Sequence, residues 1–221
     1  MNNASLAKEA NDYARGAVKE FKSSNKYVDE RIDSNKKLRR FTSANLRDGI
    51  ARDRPVLGFT MKQITAYGKS AIGIKAGNCG EMSAIACLYL SRHKEQSVFD
   101  YVSLASPGDH AFVVIGQPPP PGGVYPKNFA DWDDEAWICD PWANTYCQAA
   151  QYPEQWVEKL KSWATKGKQL AVPVEGVVGQ FEIVDPTHPD WLNAITKNDK
   201  LSIVHSKKSR KQEKTGSCIV M

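Results

Sequence analysis

One stretch limits the fold of this chain more than any other: GIKAGNCGEMSAIACLYLSRH, at residues 73–93. Gly77 and Gly80 loosen the backbone there. Met82, Ile85, Ala86, Tyr89 and Leu90 then repeat at helical spacing as far as Arg92. A helix this apolar needs cover. Two strand-like runs follow it, FDYVSLA (99–105) and HAFVVIG (110–116), joined by Ser106-Pro107-Gly108-Asp109 as a turn. AWICD (136–140) reads as a third strand, stopped by Pro141, and FEIV (181–184) as a fourth. A helix followed by strands on mostly short turns implies an α+β domain, the helix packed on an antiparallel sheet.

The flanks are simpler. Leu6, Ala10, Tyr13, Ala17 and Phe21 predict a helix over 5–23. Residues 26–41 read as a second helix running into the basic stretch Lys36, Lys37, Arg39, Arg40, with short helices at 43–53 and 60–70. Trp156, Leu160 and Trp163 share one face of a helix over 153–166, and QPPPPGG (117–123) is a stiff polyproline loop. The expected organisation is an N-terminal helical region over 1–70 packing on a core over 71–205. A basic disordered tail follows over 206–221.

At 221 residues the chain suits one domain with appendages, and 41% hydrophobic residues with six Trp and eight Tyr exclude a disordered protein. No apolar run of about 18 residues is present, so no transmembrane helix is expected. The N-terminus lacks the apolar core of a secretory signal. Nearly all of the formal net charge of +5 sits in the tail, where Lys207, Lys208, Arg210, Lys211 and Lys214 face Glu213 alone. A basic tail on a nearly neutral body argues against a nucleic-acid partner and for an anionic surface. The five cysteines form no CxxC pair, which argues against a zinc site or a disulfide framework and for a reducing compartment. Neither a metal nor a cofactor is expected.

Cys79 is the residue most suited to chemistry. It stands where the glycine-rich loop becomes a helix. There the dipole and unpaired N–H groups favour a thiolate, and glycines allow close approach. A cysteine that merely caps a helix is the bland alternative, for most free cysteines are inert. His110 shifts the balance: it opens an apolar strand just after a turn, held rigidly yet able to face a cleft. Asp140 closes the set at the end of WICD, where an acid can orient an imidazole on a neighbouring strand. Asp109 and Cys139 point to the opposite faces of their strands. Asp185 and His188 are the rivals for acid and base. Cys87 reads as packing, Cys147 has no evident partner, Trp142 either lines the cleft or covers the strand end, and Glu81 is a first-turn acid without a catalytic role.

Gly-Asn-Cys-Gly-Glu-Met at a helix start, Asp-His-Ala-Phe on a strand and Cys-Asp-Pro-Trp at the next strand end resemble the papain-like and transglutaminase-like thiol enzymes, over roughly residues 70–145. The order Cys, His, Asp is that of the superfamily. The chain looks most similar to compact versions that bacteria deliver into host cells as proteases, deamidases or transglutaminases. The resemblance implies Cys79 as nucleophile, His110 as base and Asp140 as orienting acid, acting on a protein substrate. It departs from papain in two ways: no aromatic residue follows Cys79-Gly80, and no Gln lies shortly before Cys79. The oxyanion donors are therefore open between the Asn78 side chain and the Cys79 backbone N–H, the latter favoured.

The chain ends Cys218-Ile219-Val220-Met221, a C-a-a-X sequence of the farnesylated kind behind a polybasic segment. The implied partners are a host prenyltransferase and an anionic membrane surface. A bacterial source would make the protein a secreted effector on the cytosolic face of host membranes, and any other source a cytoplasmic, membrane-associated protein. The competing expectation is a non-enzymatic, membrane-tethered adaptor with a degenerate papain-like fold.

Overall fold

A computed structural model describes residues 2–21, 23, 26–28, 34–53, 59–93, 98–104, 110–118, 125–126, 128–173, 181–196 and 201–207. Among the described residues, six α-helices and eight strands run in the order α1 (Asn3–Ala17), β1 (Lys26–Val28), α2 (Ser34–Asp48), α3 (Met61–Ile74), α4 (Cys79–Arg92), β2 (Phe99–Leu104), β3 (His110–Ile115), β4 (Trp137–Asp140), β5 (Thr145–Gln148), α5 (Tyr152–Thr165), β6 (Lys168–Pro173), β7 (Phe181–Val184), α6 (Pro189–Thr196) and β8 (Leu201–Lys207). The architecture is mixed α+β. Five antiparallel strands form the main sheet in the order β5-β4-β3-β2-β8. A second, three-stranded antiparallel sheet has the order β1-β6-β7.

Helix α4 is the apolar helix of the sequence, and residues 81–88 are all buried. It packs between α1 and α3 on one side and strands β2 and β3 on the other. Ser83 ties it to β3 by donating to the Ala111 carbonyl at 2.9 Å. Helix α3 begins with Thr60 and Gln63 in a reciprocal capping box and ends at Lys75, whose φ is 55°. Gly68 sets its distance from α4: a Cβ there would stand 2.6 Å from the Ala84 carbonyl oxygen. Only glycine lets the two backbones approach this closely.

Several elements differ from the sequence reading. Helix α1 stops at Ala17 because the chain turns and Phe21 N–H bonds the Lys75 carbonyl instead of an earlier turn of its own helix. Strand β1 replaces the start of the expected second helix; three residues carry no legible period, and pairing with β6 creates the strand. Helix α2 spans both the basic stretch and much of the expected 43–53 helix, since nothing between Ser34 and Asp48 breaks it. FEIV is a strand, β7, but it joins β6 in the second sheet, not the main one. Strands β5 and β6 and helix α6 had no expectation attached to them.

Strand β8 moves the start of the tail. The expected disordered segment began at Ser206, yet Ser206 and Lys207 pair with Asp100 and Phe99 as the last rungs of the sheet edge. Lys207 thus belongs to the sheet. Open N–H and C=O groups along β2 provide the partner that a polar, basic sequence does not advertise. Residues 208–221, with Lys208, Arg210, Lys211, Lys214 and Cys218, lie outside the described residues, as do the polyproline loop at 119–124 and the turn at 105–109. Among the described residues no helix is long and apolar enough to cross a membrane.

Candidate active site

Cys79 is the first residue of α4, and Asn78 is its N-cap with an extended backbone. The Asn78 N–H donates to the Glu81 carboxylate at 2.9 Å, and its carbonyl receives the Met82 N–H at 3.0 Å. These bonds fix the first turn around Cys79. Glu81 is 1% exposed. It also accepts from the Tyr67 hydroxyl at 2.6 Å and pairs with Arg47 at 3.0 Å. Burial pushes its carboxyl up, but Arg47 and Tyr67 outweigh this and hold it below the usual range. The first-turn acid is therefore a buried junction of α2, α3 and α4. Gly77 is also a packing requirement, since a Cβ there would lie 2.9 Å from that of Glu81.

Strand register brings the other two residues together. Val113 on β3 faces Cys139 on β4, so the next step along the ladder sets Asp140 level with Phe112. The two-residue period then puts His110 on that same face, and Cys139 on the other. His110 Nε2 lies 2.9 Å from Asp140 Oδ2, and both side chains are fully buried. Tyr152, at the start of α5, donates its hydroxyl to the same Oδ2 at 2.9 Å and lies 3.4 Å from Nε2. Asp140 Oδ1 accepts the Ala143 N–H at 3.0 Å. Both oxygens of the carboxylate are thus engaged, Oδ1 by the turn and Oδ2 by His110 and Tyr152.

The electrostatics follow from this packing. Burial alone would lower the imidazole pKa; the charge and hydrogen bond of Asp140, then Cys79, overturn that and raise it to about 10. Burial would raise the Asp140 carboxyl, yet His110 and the hydrogen bonds from Ala143 and Tyr152 hold it below the usual carboxylate range. Cys79 lies near enough to the His110 ring to act on it both as a hydrogen-bond partner and as a charge. The other ring nitrogen, Nδ1, is buried without a well-aligned hydrogen bond. With Nε2 committed to Asp140, Nδ1 is the nitrogen left for the sulfur.

Aromatic rings hold the imidazole in place. Trp156 lies 4.8 Å from it between ring centres and Trp142 5.2 Å. Trp142 Nε1–H donates to Ser23 Oγ at 3.0 Å, and the Ser23 hydroxyl donates to Asn78 Oδ1 at 2.8 Å. An indole N–H can only donate, so Ser23 must accept it and pass its own proton on. This polarity assigns the oxygen end of the Asn78 amide to Ser23 and turns the NH2 end elsewhere. Lys26 completes the cover: its Nζ lies 4.1 Å from the centre of the Trp142 ring and 4.2 Å from that of Trp163, and donates to the Trp142 carbonyl. Burial, with repulsion from Lys168, carries its pKa well below the usual lysine value. Under this N-terminal segment Cys79 is 7% exposed.

The rival residues have local roles. Asp185 is exposed and accepts from the N–H and hydroxyl of Thr187, while His188 Nδ1 accepts the Asp190 N–H at 3.3 Å before α6. Cys87 and Cys139 are fully buried, and burial raises both thiols well above their usual range. Cys147, facing inward from β5, is pushed up to about 12 by burial and by Asp140. Sequence reasoning missed Tyr152, Trp156, Ser23 and Lys26. Nothing in their local sequence signals the site; they reach it from elements far along the chain. Among the described residues no cluster of His, Cys, Asp and Glu is arranged to hold a metal ion. Compared with known proteins, the chain matches no protein family, no curated protein and no solved structure.

Proposed function

We propose that the chain is a cysteine-dependent enzyme that forms a thioester on a protein substrate, as a cysteine protease or glutamine deamidase of the papain-like and transglutaminase-like kind. The carrying observation is the His110–Asp140 pair at 2.9 Å, fully buried and beside a cysteine at a helix start. In this reading Cys79 is the nucleophile, His110 carries the proton and Asp140 fixes the ring. The sulfur attacks a peptide or glutamine carbonyl carbon, forming the C–S bond. The carbonyl oxygen takes the developing charge towards the Cys79 N–H and the Asn78 amide. Protonated His110 gives its proton to the leaving amine or ammonia as the C–N bond breaks. Water, losing a proton to His110, then opens the thioester and frees the acid. An amine in place of water would give a cross-link. On the same reading, Cys218 receives a prenyl group from a host prenyltransferase. The basic residues beyond β8 then hold the chain against anionic lipid, placing the substrate at a membrane surface.

The test is the intact mass of a candidate host protein after incubation with wild type and with Cys79→Ala. A cut means proteolysis, a gain of about one dalton deamidation, and a loss of about seventeen a cross-link, the fates open to a thioester. Identical products from wild type and Cys79→Ala would rule out the nucleophile.

A further inference from the structure

Helix α2 turns two of its large apolar side chains outward, while the third, Leu46, is half-buried. Leu38 and Phe41 are 63% and 62% exposed, one turn apart on the same face. Its inward positions include Ser43, fully buried, and Arg47, which pairs with Glu81. A helix that served only to cover the core would show the reverse pattern. Four cations surround the apolar pair in the sequence, Lys36, Lys37, Arg39 and Arg40, and no acidic residue occurs in α2 before Asp48.

We propose that α2 is an interfacial helix that seats Leu38 and Phe41 in the headgroup region of an anionic membrane, with the exposed Arg39 beside them meeting lipid phosphate. Two exposed apolar side chains in a segment whose charges are all positive fit a reversible lipid contact. Among the described residues they make too small a patch to anchor a stable protein interface, which takes about 800 Å² from each partner. The contact depends neither on the chemistry at Cys79 nor on a lipid at Cys218.

The experiment uses the full chain carrying Cys218→Ser, so that no prenyl group contributes. It is co-sedimented with vesicles of phosphatidylcholine alone, and with vesicles holding phosphatidylserine at roughly one lipid in three. Binding should require phosphatidylserine and weaken as salt rises. Leu38→Ser with Phe41→Ser should lower the affinity by about tenfold or more, since it removes the inserted apolar surface. Circular dichroism and alkylation of Cys79 should be unchanged. Replacing Lys208, Arg210, Lys211 and Lys214 with Gln should leave that dependence on Leu38 and Phe41 in place. Equal binding by the double variant would overturn the proposal, as would no binding to either vesicle. Capture of an acidic protein through Leu38 and Phe41 without vesicle binding would overturn it in favour of a protein partner.

Discussion

His110 and Asp140 are buried together, so each sets the other's charge, and folding stability inherits their titration. The imidazole is raised from 6.5 to about 10 on folding. Its contribution is complete below about pH 6.5 and is lost as pH climbs through about 10. Asp140 is lowered from 3.8, so its contribution is present above that value and is lost as pH falls through the folded one. Together they place the pair's largest contribution between roughly pH 4 and 6.5. Urea unfolding of wild type and His110→Gln should therefore differ most near pH 5.5, and the gap should narrow by pH 9.5. A gap that is flat with pH, or that widens on the alkaline side, would show that His110 is not held protonated by Asp140.

Helices α2, α3 and α4 meet at Glu81, which joins Arg47, Tyr67 and the backbone of Asn78. Glu81→Ala strands the largely buried Arg47 cation and should cost about 3–5 kcal/mol. Replacing Glu81 and Arg47 together with Met should cost less than Glu81→Ala alone, because no charge is left buried without a partner. Denaturant midpoints measure both. A loss of under about 1 kcal/mol for Glu81→Ala would mean that solvent already screens the pair. The same residue controls the first turn of α4, so Glu81→Ala should also change the alkylation rate of Cys79, although Glu81 takes no part in the proposed chemistry.

At the scale of the whole molecule, the catalytic reading and the membrane reading fall on separate parts of the chain. Strand β8 ends at Lys207, so the C-terminal motif begins beyond the last rung of the main sheet. In a eukaryotic cell, tagged wild type should partition to membranes, and Cys218→Ser should release most of it to the cytosol. One lipid chain binds only marginally, and neighbouring cations add about 1 kcal/mol each near an anionic surface. Thiol reactivity at Cys79 should not change. Identical distributions of the two proteins by imaging would reduce the C-terminal motif to coincidence.

The sequence by itself determined the elements whose signals are local. The apolar period of α4, the apolar runs that become β2 to β4, and the stop at Pro141 depend on neighbours a few residues apart. It also singled out Cys79, His110 and Asp140, because each stands at the end of such an element. What only the tertiary structure decided is who meets whom. The β3–β4 register brings Asp140 onto the face of His110. Tyr152 and Trp156 arrive from α5, and Ser23 and Lys26 from the N-terminal segment, with no motif to announce them. FEIV is a strand on local grounds, yet its sheet was settled by pairing with β6. Ser206 and Lys207 became strand because β2 offered an open edge. Burial and strand pairing join residues far apart in the chain, and one sequence carries no period for distances of that kind.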